Sequence, residues 1–433
     1  MSLFFELIQL SLGRRDCFSL CPSEKEWGEL FELAKMQALV GVLFSGVERL
    51  PEEQRPPKDI LLKWFAMTEM IEKENRRMND IAVRVQERFM KEGFRSCILK
   101  GQGVATLYPN PLRRQSGDID IWLEGKRGRI IEYVQGICRP KKILWYHLDF
   151  TAVKDAEVEV HFMPSWMFNL FTDRRLQAWF KDRSEEMFEN TTTLPNGSLI
   201  HVPTQDFNIV YLLIHIYRHL FEEGIGLRQL MDYYFLLLSA KENRNYWLGS
   251  LVYGTSGVQE SDFKFLSSLV LKFLSCLPYN LKTLKPHNLT YRSSDEECNC
   301  LDGRTDEHNG RRSNCSNENC ERIKLLKSLK LYKFARAVMW VLGEVFGLER
   351  EMMYVEPDEK EGRFLLEEIM MAGNFGKYDP RRGDIKDESI LQLFIRKQKR
   401  SVRFIRSYPS EVVWSPIFAI YQRLWRWGKG YLK

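Results

Sequence analysis

The sequence predicts an α+β fold: a small mixed-sheet domain over 93–195, flanked by an N-terminal helical region (1–92) and a C-terminal helical domain (196–433). Two observations carry this prediction. Apolar residues recur at helical spacing in the outer regions. In the middle they shift to short runs with the period-two alternation of strands. The chain has 433 residues, more than one average domain, so two or three domains are expected.

In the first region Trp27, Leu30, Phe31, Leu33 and Ala34 follow helical spacing, as do Leu61, Leu62, Trp64, Phe65 and Met67. Pro51, Pro56 and Pro57 mark the loop between them. A long charged helix is expected over 68–91, with Ile71, Met78, Ile81, Val85 and Phe89 on its inner face. The pattern then changes. Ser96–Leu99 is a short apolar run leading into Lys100-Gly101-Gln102-Gly103. Gly117 precedes a second run, Ile119–Leu123. Residues 146–153 and 157–162 read as paired strands around a turn at Lys154-Asp155. Val158, Val160 and Phe162 alternate there with Glu157, Glu159 and His161. Thr204 reads as the N-cap of a helix carrying Phe207, Val210, Tyr211, Leu213 and Ile214. Further helices are expected over 227–238, 263–277, 323–348 and 363–371. Residues 291–321 are polar with almost no apolar side chains, and read as a disordered insertion.

Composition narrows the function classes. The net charge is +6 with 28% charged residues, far short of the strongly basic balance of a dedicated nucleic-acid binder. No run of apolar residues is long enough for a transmembrane helix. The first ten residues lack a basic start, and Glu6 interrupts their apolar run, so no secretory signal is expected. Nine cysteines, most of them isolated, suit free thiols in a reducing cytoplasm.

The main chemical signal is Gly117-Asp118-Ile119-Asp120-Ile121. On a strand, residues two apart share a face. Asp118 and Asp120 then present both carboxylates to one side while Ile119 and Ile121 enter the core. Two carboxylates so close repel each other until a cation lies between them, and oxygen-only ligands suit Mg²⁺. Glu159, between Val158 and Val160, supplies a third carboxylate if its strand lies beside the first. His161 shares its face. An Asp-x-Asp pair by itself is more often a solvated edge or turn. Here its apolar neighbours count against that reading, because burying two acids without a counter-charge is costly. Upstream, glycines at a strand-to-helix turn let backbone N–H groups approach phosphate oxygens. Lys100, Gly101, Gly103, Arg114 and His161 are the candidate nucleotide contacts.

In this order the pieces resemble the DNA polymerase β-like nucleotidyltransferase superfamily: a Gly-containing turn, an Asp-x-Asp strand, and an acid on a later strand. More narrowly, Ile98-Leu-Lys-Gly101, Tyr108-Pro109, Arg114-Gln-Ser-Gly117-Asp-Ile-Asp120 and Glu159-Val-His161 resemble a bacterial family described only as uncharacterised nucleotidyltransferases. His215, Arg218–Phe221, Gly224, Gly226–Leu230, Asp232 and Gly373–Gly376 extend the resemblance into the helical part. It implies a polymerase β-like domain that moves an NMP from an NTP to an acceptor hydroxyl. Asp118, Asp120 and Glu159 would be both catalytic and metal-binding, with two Mg²⁺ ions, or Mn²⁺ in their place. The acceptor is left open among a small molecule, a protein and an RNA. Gln102 departs from the superfamily, which carries Gly or Ser at that position.

Several features stay open at this stage. His215 and His219 share a helix face, which serves interhelical hydrogen bonding or zinc. Cys298, Cys300, His308, Cys315 and Cys320 are zinc-ligand types at irregular spacing; a surface insertion with incidental thiols is the alternative. Arg218 and Arg228 are candidates for phosphate or for structural pairing. The basic and aromatic C-terminus, with Trp425, Trp427, Arg423 and Arg426 after Arg396–Arg406, suits packing on the body, or contact with RNA or a membrane surface. Two other functions compete with the first. One is a catalytically silent scaffold binding a protein or nucleic-acid partner. The other is a toxin-like enzyme that modifies tRNA.

Overall fold

The computed structural model describes residues 2–242, 317–383 and 388–431. The chain divides into two units, Met1–Trp247 with Leu325–Lys433, and Leu248–Lys324; the first carries the sheet and the site. The helix expected over 263–277 lies outside the described residues. So do residues 291–316, with Cys298, Cys300, His308 and Cys315. A helix begins at Asn317, inside the stretch expected to lack order. No helix among the described residues is long and apolar enough to cross a membrane.

Three helices precede the sheet's support: α1 (Leu3–Ser11), α2 (Glu24–Met36) and α3 (Val40–Val47). Ser23 starts α2 with a reciprocal capping box to Glu26, which satisfies two of the orphan N–H groups of the first turn. Helix α4 (Lys58–Lys91) starts ten residues ahead of the expected long helix and absorbs the Leu61–Met67 segment. Its buried stripe includes Ile60, Trp64, Met78, Ile81, Val85 and Phe89. Two buried polar residues on α4 do positioning work. Asn75 Nδ2 donates to the carbonyls of Leu112 and Arg114 at 2.7 and 2.6 Å, fixing the loop that leads to the Asp-x-Asp strand. Gln86 Nε2 donates to the Ser96 carbonyl at 3.2 Å.

The sheet has four strands, β1 (Ser96–Leu99), β2 (Ile119–Leu123), β3 (His147–Asp149) and β4 (Val158–His161), in the order β1-β2-β4-β3. β1 and β2 are antiparallel, β2 and β4 parallel, and β3 and β4 antiparallel. The fold is therefore mixed α+β with a small mixed sheet. The parallel β2–β4 pair requires a crossover. It contains α6 (Arg127–Ile137) and β3. Between β1 and β2 lies the short helix α5 (Gly101–Ala105).

One face of the sheet forms the core. Ile119, Ile121, Val158, Val160 and Leu148 pack with Ile81, Val85 and Phe89 of α4 and with Ile130, Ile131 and Val134 of α6. Each such side chain contributes roughly 1.5–3 kcal/mol by burial. The opposite face carries the polar residues. Further along come α7 (Leu170–Asp182), α8 (Ser184–Glu189), a small hairpin of β5 (Thr191–Thr193) and β6 (Leu199–His201), then α9 (Gln205–Glu222) and α10 (Leu227–Glu242). Thr204 caps α9 through the Phe207 N–H, as expected. Beyond these lie α11 (Asn317–Ser328), α12 (Tyr332–Phe346), α13 (Glu359–Ala372), α14 (Ile390–Val402) and α15 (Pro409–Gly428).

Two glycine-rich segments lock together. A Cβ on Gly376 would lie 1.9 Å from the Glu223 carbonyl oxygen, and one on Gly226 would lie 2.9 Å from Asn374 Cα. Backbone meets backbone there, so the 374–376 turn sits flush against the end of α9. Phe375 takes the left-handed conformation at φ 55°. At the other end of the chain, Trp425 and Tyr421 pack edge-on against Trp145 at 5.1 and 5.2 Å. Arg127 lies over the Trp145 ring at 4.0 Å.

Candidate active site

The register brings the acids together. Asp120 pairs with Glu159 across the parallel β2–β4 ladder, so both side chains leave the same face. Asp118 precedes β2 by one residue and keeps that parity. Oxygens of Asp118, Asp120 and Glu159 lie within 4.8 Å of one another. Asp120 is the deepest, 2% exposed.

The expected repulsion among these carboxylates is corrected by the structure, because two cations stand among them. Lys100 Nζ lies 2.7 Å from Asp120 Oδ2 and 3.6 Å from Asp118 Oδ1. His161 Nε2 donates to Asp120 Oδ1 at 2.7 Å and lies 3.4 Å from Glu159 Oε2. Burial pushes the Asp120 carboxyl upward, but Lys100 and His161 outweigh it and hold it below the ordinary range. Burial also penalises the Lys100 ammonium, yet Asp118 and Asp120 keep its pKa above normal. For His161 burial is likewise overcome, by Asp120 and Glu159, and its pKa is pushed up to about 9. It is an imidazolium at neutral pH.

Lys100 reaches this position through an uncommon backbone. Its φ is 45° and its ψ −140°, a region that favours glycine and costs on the order of 1–3 kcal/mol for other residues. Gly101 follows with φ 47°. The two positive angles turn the chain from β1 into α5 and aim the ammonium back across the ends of β1 and β2. Strained backbone of this kind concentrates at functional sites.

The other expected contacts divide. Lys100, Gly101, Arg114, Gly117 and Asp118 line one cleft with His215, Arg228, Asp232 and Phe375. Gly103 is absent from its wall; its N–H donates to the Lys100 carbonyl at 3.1 Å, and a Cβ there would meet Val202 Cγ1 at 2.7 Å. Gly103 therefore serves close packing. Arg114 is committed to Asp232: Nε and Nη2 donate to its two oxygens at 2.7 and 2.8 Å. Tyr108 Oη donates to the same carboxylate at 2.6 Å. His161 is buried beneath the acids, bonded to Asp120, and positions them instead of facing the cleft.

One residue missed from the sequence, His147, completes the picture, and the remaining candidates take definite places. His147 Nδ1 lies 2.9 Å from Glu159 Oε2. With the His161 contact it outweighs burial and draws the Glu159 carboxyl well below its usual range. A two-residue turn at Lys154-Asp155 sets His147 opposite Phe162; the observed register is one residue tighter and sets it opposite His161. Arg228 Nη1 donates to the Gln115 carbonyl at 2.8 Å, and its Nε is buried without a hydrogen-bond partner among the described residues. Its guanidinium sits 5.4 Å from the Phe375 ring centre. Arg218, by contrast, is packed between Trp166 and Phe168 and pairs with Glu222. His215 and His219 face each other at 4.4 Å. Burial keeps both neutral, with His219 lowered to about 4.

This donor set, three carboxylates backed by two histidines, could hold a metal ion. The family model described as Uncharacterised nucleotidyltransferase matches residues 23–248, more than half of the chain. The chain belongs to that family, as its motifs implied, and a nucleotide substrate follows from the membership. No curated protein and no solved structure matches the chain.

Proposed function

We propose that this protein is a metal-dependent nucleotidyltransferase that moves an NMP from an NTP to an acceptor hydroxyl and releases pyrophosphate. The convergence of Asp118, Asp120 and Glu159 carries this reading. Their oxygen donors suit Mg²⁺, with Mn²⁺ as an alternative given the nearby imidazoles. When bound, such ions, two in the full reading, neutralise charge on the attacking hydroxyl and the leaving group. The chain's own residues do the rest. His161 and His147 orient the Asp120 and Glu159 carboxylates, as outer-shell groups do at metal sites. Lys100 keeps the acids ionised and can turn toward phosphate once another cation neutralises them. Gly101 and Arg228 line the phosphate side of the cleft.

The β1–turn–α5 unit followed by acids on two adjacent strands supports a polymerase β-like domain over 93–195, between helical regions at 1–92 and 196–433. A cytoplasmic setting fits Cys17, Cys21, Cys97 and Cys138, all free thiols.

The test is a thermal-shift titration with Mg²⁺ and each NTP, followed by incubation with labelled NTP and a cell extract. A nucleotidyltransferase shows a Mg²⁺-dependent shift and transfers label. No shift with any NTP would sink the reading. One observation favours the silent scaffold as the second reading: Lys100 already neutralises Asp118 and Asp120 from within the chain. Such a scaffold would show no label transfer to any fraction.

A further inference from the structure

The basic run after residue 395 acquires a shape in the folded chain. Helix α14 turns Arg396, Lys397, Lys399 and Arg400 toward a cavity of about 300 Å³, whose wall also includes Arg382 and Arg403. The acids on this wall are Glu222, Glu223 and Asp379. Asp379 is already shared between Arg381 and Arg400, at 2.8 and 3.1 Å. Glu388 holds Arg396 through two contacts of 2.8 Å. Lys397 and Lys399 have no carboxylate within ion-pair distance among the described residues. The wall therefore carries surplus positive charge.

Its deepest member is incompletely satisfied. Arg400 is 7% exposed. Its Nε donates to the Leu220 carbonyl and its Nη1 to Asp379. Its Nη2 is buried without a hydrogen-bond partner among the described residues, and so is Arg382 Nε. Leaving charged N–H groups unmade inside a protein is costly. Burial, aided by Arg403, lowers the Arg400 pKa to about 10, so the group stays cationic at neutral pH. An incoming anion with several acceptor oxygens would meet charged donors on this wall.

The cavity adjoins the acid trio's cleft. His215 of α9 lines that cleft, and Glu222 and Glu223 line this cavity. Seven residues of helix span about 10 Å. Phe375 belongs to one wall and Gly376 to the other, with the Phe375 ring against His219 at 5.1 Å. A molecule anchored by a phosphate at Arg400 could extend along the His219 side toward the carboxylates.

We propose that this cavity binds the phosphate group of the acceptor substrate, and so that the acceptor is a phosphate ester. The inference rests on the nucleotidyl-transfer reading, since it assigns that reaction's second substrate. Two sources share the chemistry: a small sugar phosphate and the terminal phosphate of a single-stranded RNA.

The test titrates the full chain, in EDTA and without NTP, with ribose 5-phosphate and with a 5′-phosphorylated RNA oligonucleotide. Ribose and the dephosphorylated oligonucleotide are the controls. At least one ester should bind, and its control should not. Lys397→Ala/Lys399→Ala, a change of one half-buried and one exposed lysine on the cavity wall, should weaken binding about tenfold or more. The same variant should keep the wild-type melting temperature and the Mg²⁺·NTP shift. Arg400→Lys should weaken the ester in parallel. Asp118→Asn/Asp120→Asn should bind the ester as the wild type does while losing the nucleotide shift. Tighter binding of the oligonucleotide identifies RNA as the source, and equal binding a small ester. Equal binding by wild type and lysine variant, or binding of the controls, would overturn the proposal. So would loss of the Mg²⁺·NTP shift in the lysine variant, because the cavity would then hold the triphosphate. A wild type with no nucleotide shift would overturn the transfer reading, and the acceptor role with it.

Discussion

Replacing Lys100 by methionine removes a cation while keeping most of the length of the side chain. Its ammonium lies 2.7 Å from Asp120 and 3.6 Å from Asp118. At an effective dielectric near 20 the first contact alone is worth about 6 kcal/mol of Coulomb energy. Desolvation of both groups offsets much of it. Removing one partner of a buried pair typically costs about 3–5 kcal/mol, and Asp120 keeps its His161 hydrogen bond, which places Lys100→Met near the lower end. The predicted loss is about 3 kcal/mol in urea unfolding with EDTA. A divalent ion at 100 times its Kd returns about 2.7 kcal/mol by mass action. Saturating Mg²⁺ should therefore restore most of the lost stability, and stabilise Lys100→Met more than wild type, whose ammonium competes for the same oxygens. Nearly equal losses in EDTA and in Mg²⁺ would refute the idea that Lys100 and a metal serve the same acids. No loss in EDTA would refute the burial argument itself.

Asp118→Asn/Asp120→Asn should abolish label transfer and the Mg²⁺·NTP thermal shift, and should lower stability in EDTA because Lys100 and His161 lose their counter-charge; a gain in stability would restore the repulsion picture. Arg114→Met leaves Asp232 buried with the Tyr108 hydrogen bond and the nearby Arg228 charge and should cost about 3 kcal/mol in unfolding free energy, and a loss below about 1 kcal/mol would show that the pair is dispensable. Glu411 is fully buried and accepts from the Phe168 and Asn169 N–H groups, and burial raises its pKa to about 7. An acid whose folded pKa is raised binds its proton more tightly when folded, so its stabilising contribution is full below pH 4.5 and fades as pH rises to 7. Glu411→Gln should flatten the fall in stability between pH 5 and 8, and an unchanged slope would remove Glu411 as its cause.

What the sequence by itself determined was local. Asp118 and Asp120 share a face because strand period is two, and that holds wherever the strand lies. The capped start of α9, the α4 stripe and the switch to strand periodicity at Ser96 are short-range patterns too. The motif order was enough to reach the family. What only the tertiary structure decided depended on partners far apart in the chain. Glu159 joins the acids because a crossover lays β4 parallel to β2 in one register, and a slip of one residue would have turned its carboxylate into the core. The pairing of Lys100 with Asp120 was not legible, because nothing in the Lys-Gly-Gln-Gly string reveals a positive φ that folds the ammonium back onto that acid. Arg114 lines the cleft as expected, but its pairing with Asp232 was hidden because that acid lies on a helix 118 residues away. The basic run of α14 was read as one with the C-terminal tail. Its cavity exists only where the Gly224–Gly376 contact brings α9 and the 374–376 turn against it. Periodicity constrains which way a side chain points, whereas charge compensation and close backbone approach are set by whatever the rest of the chain places opposite.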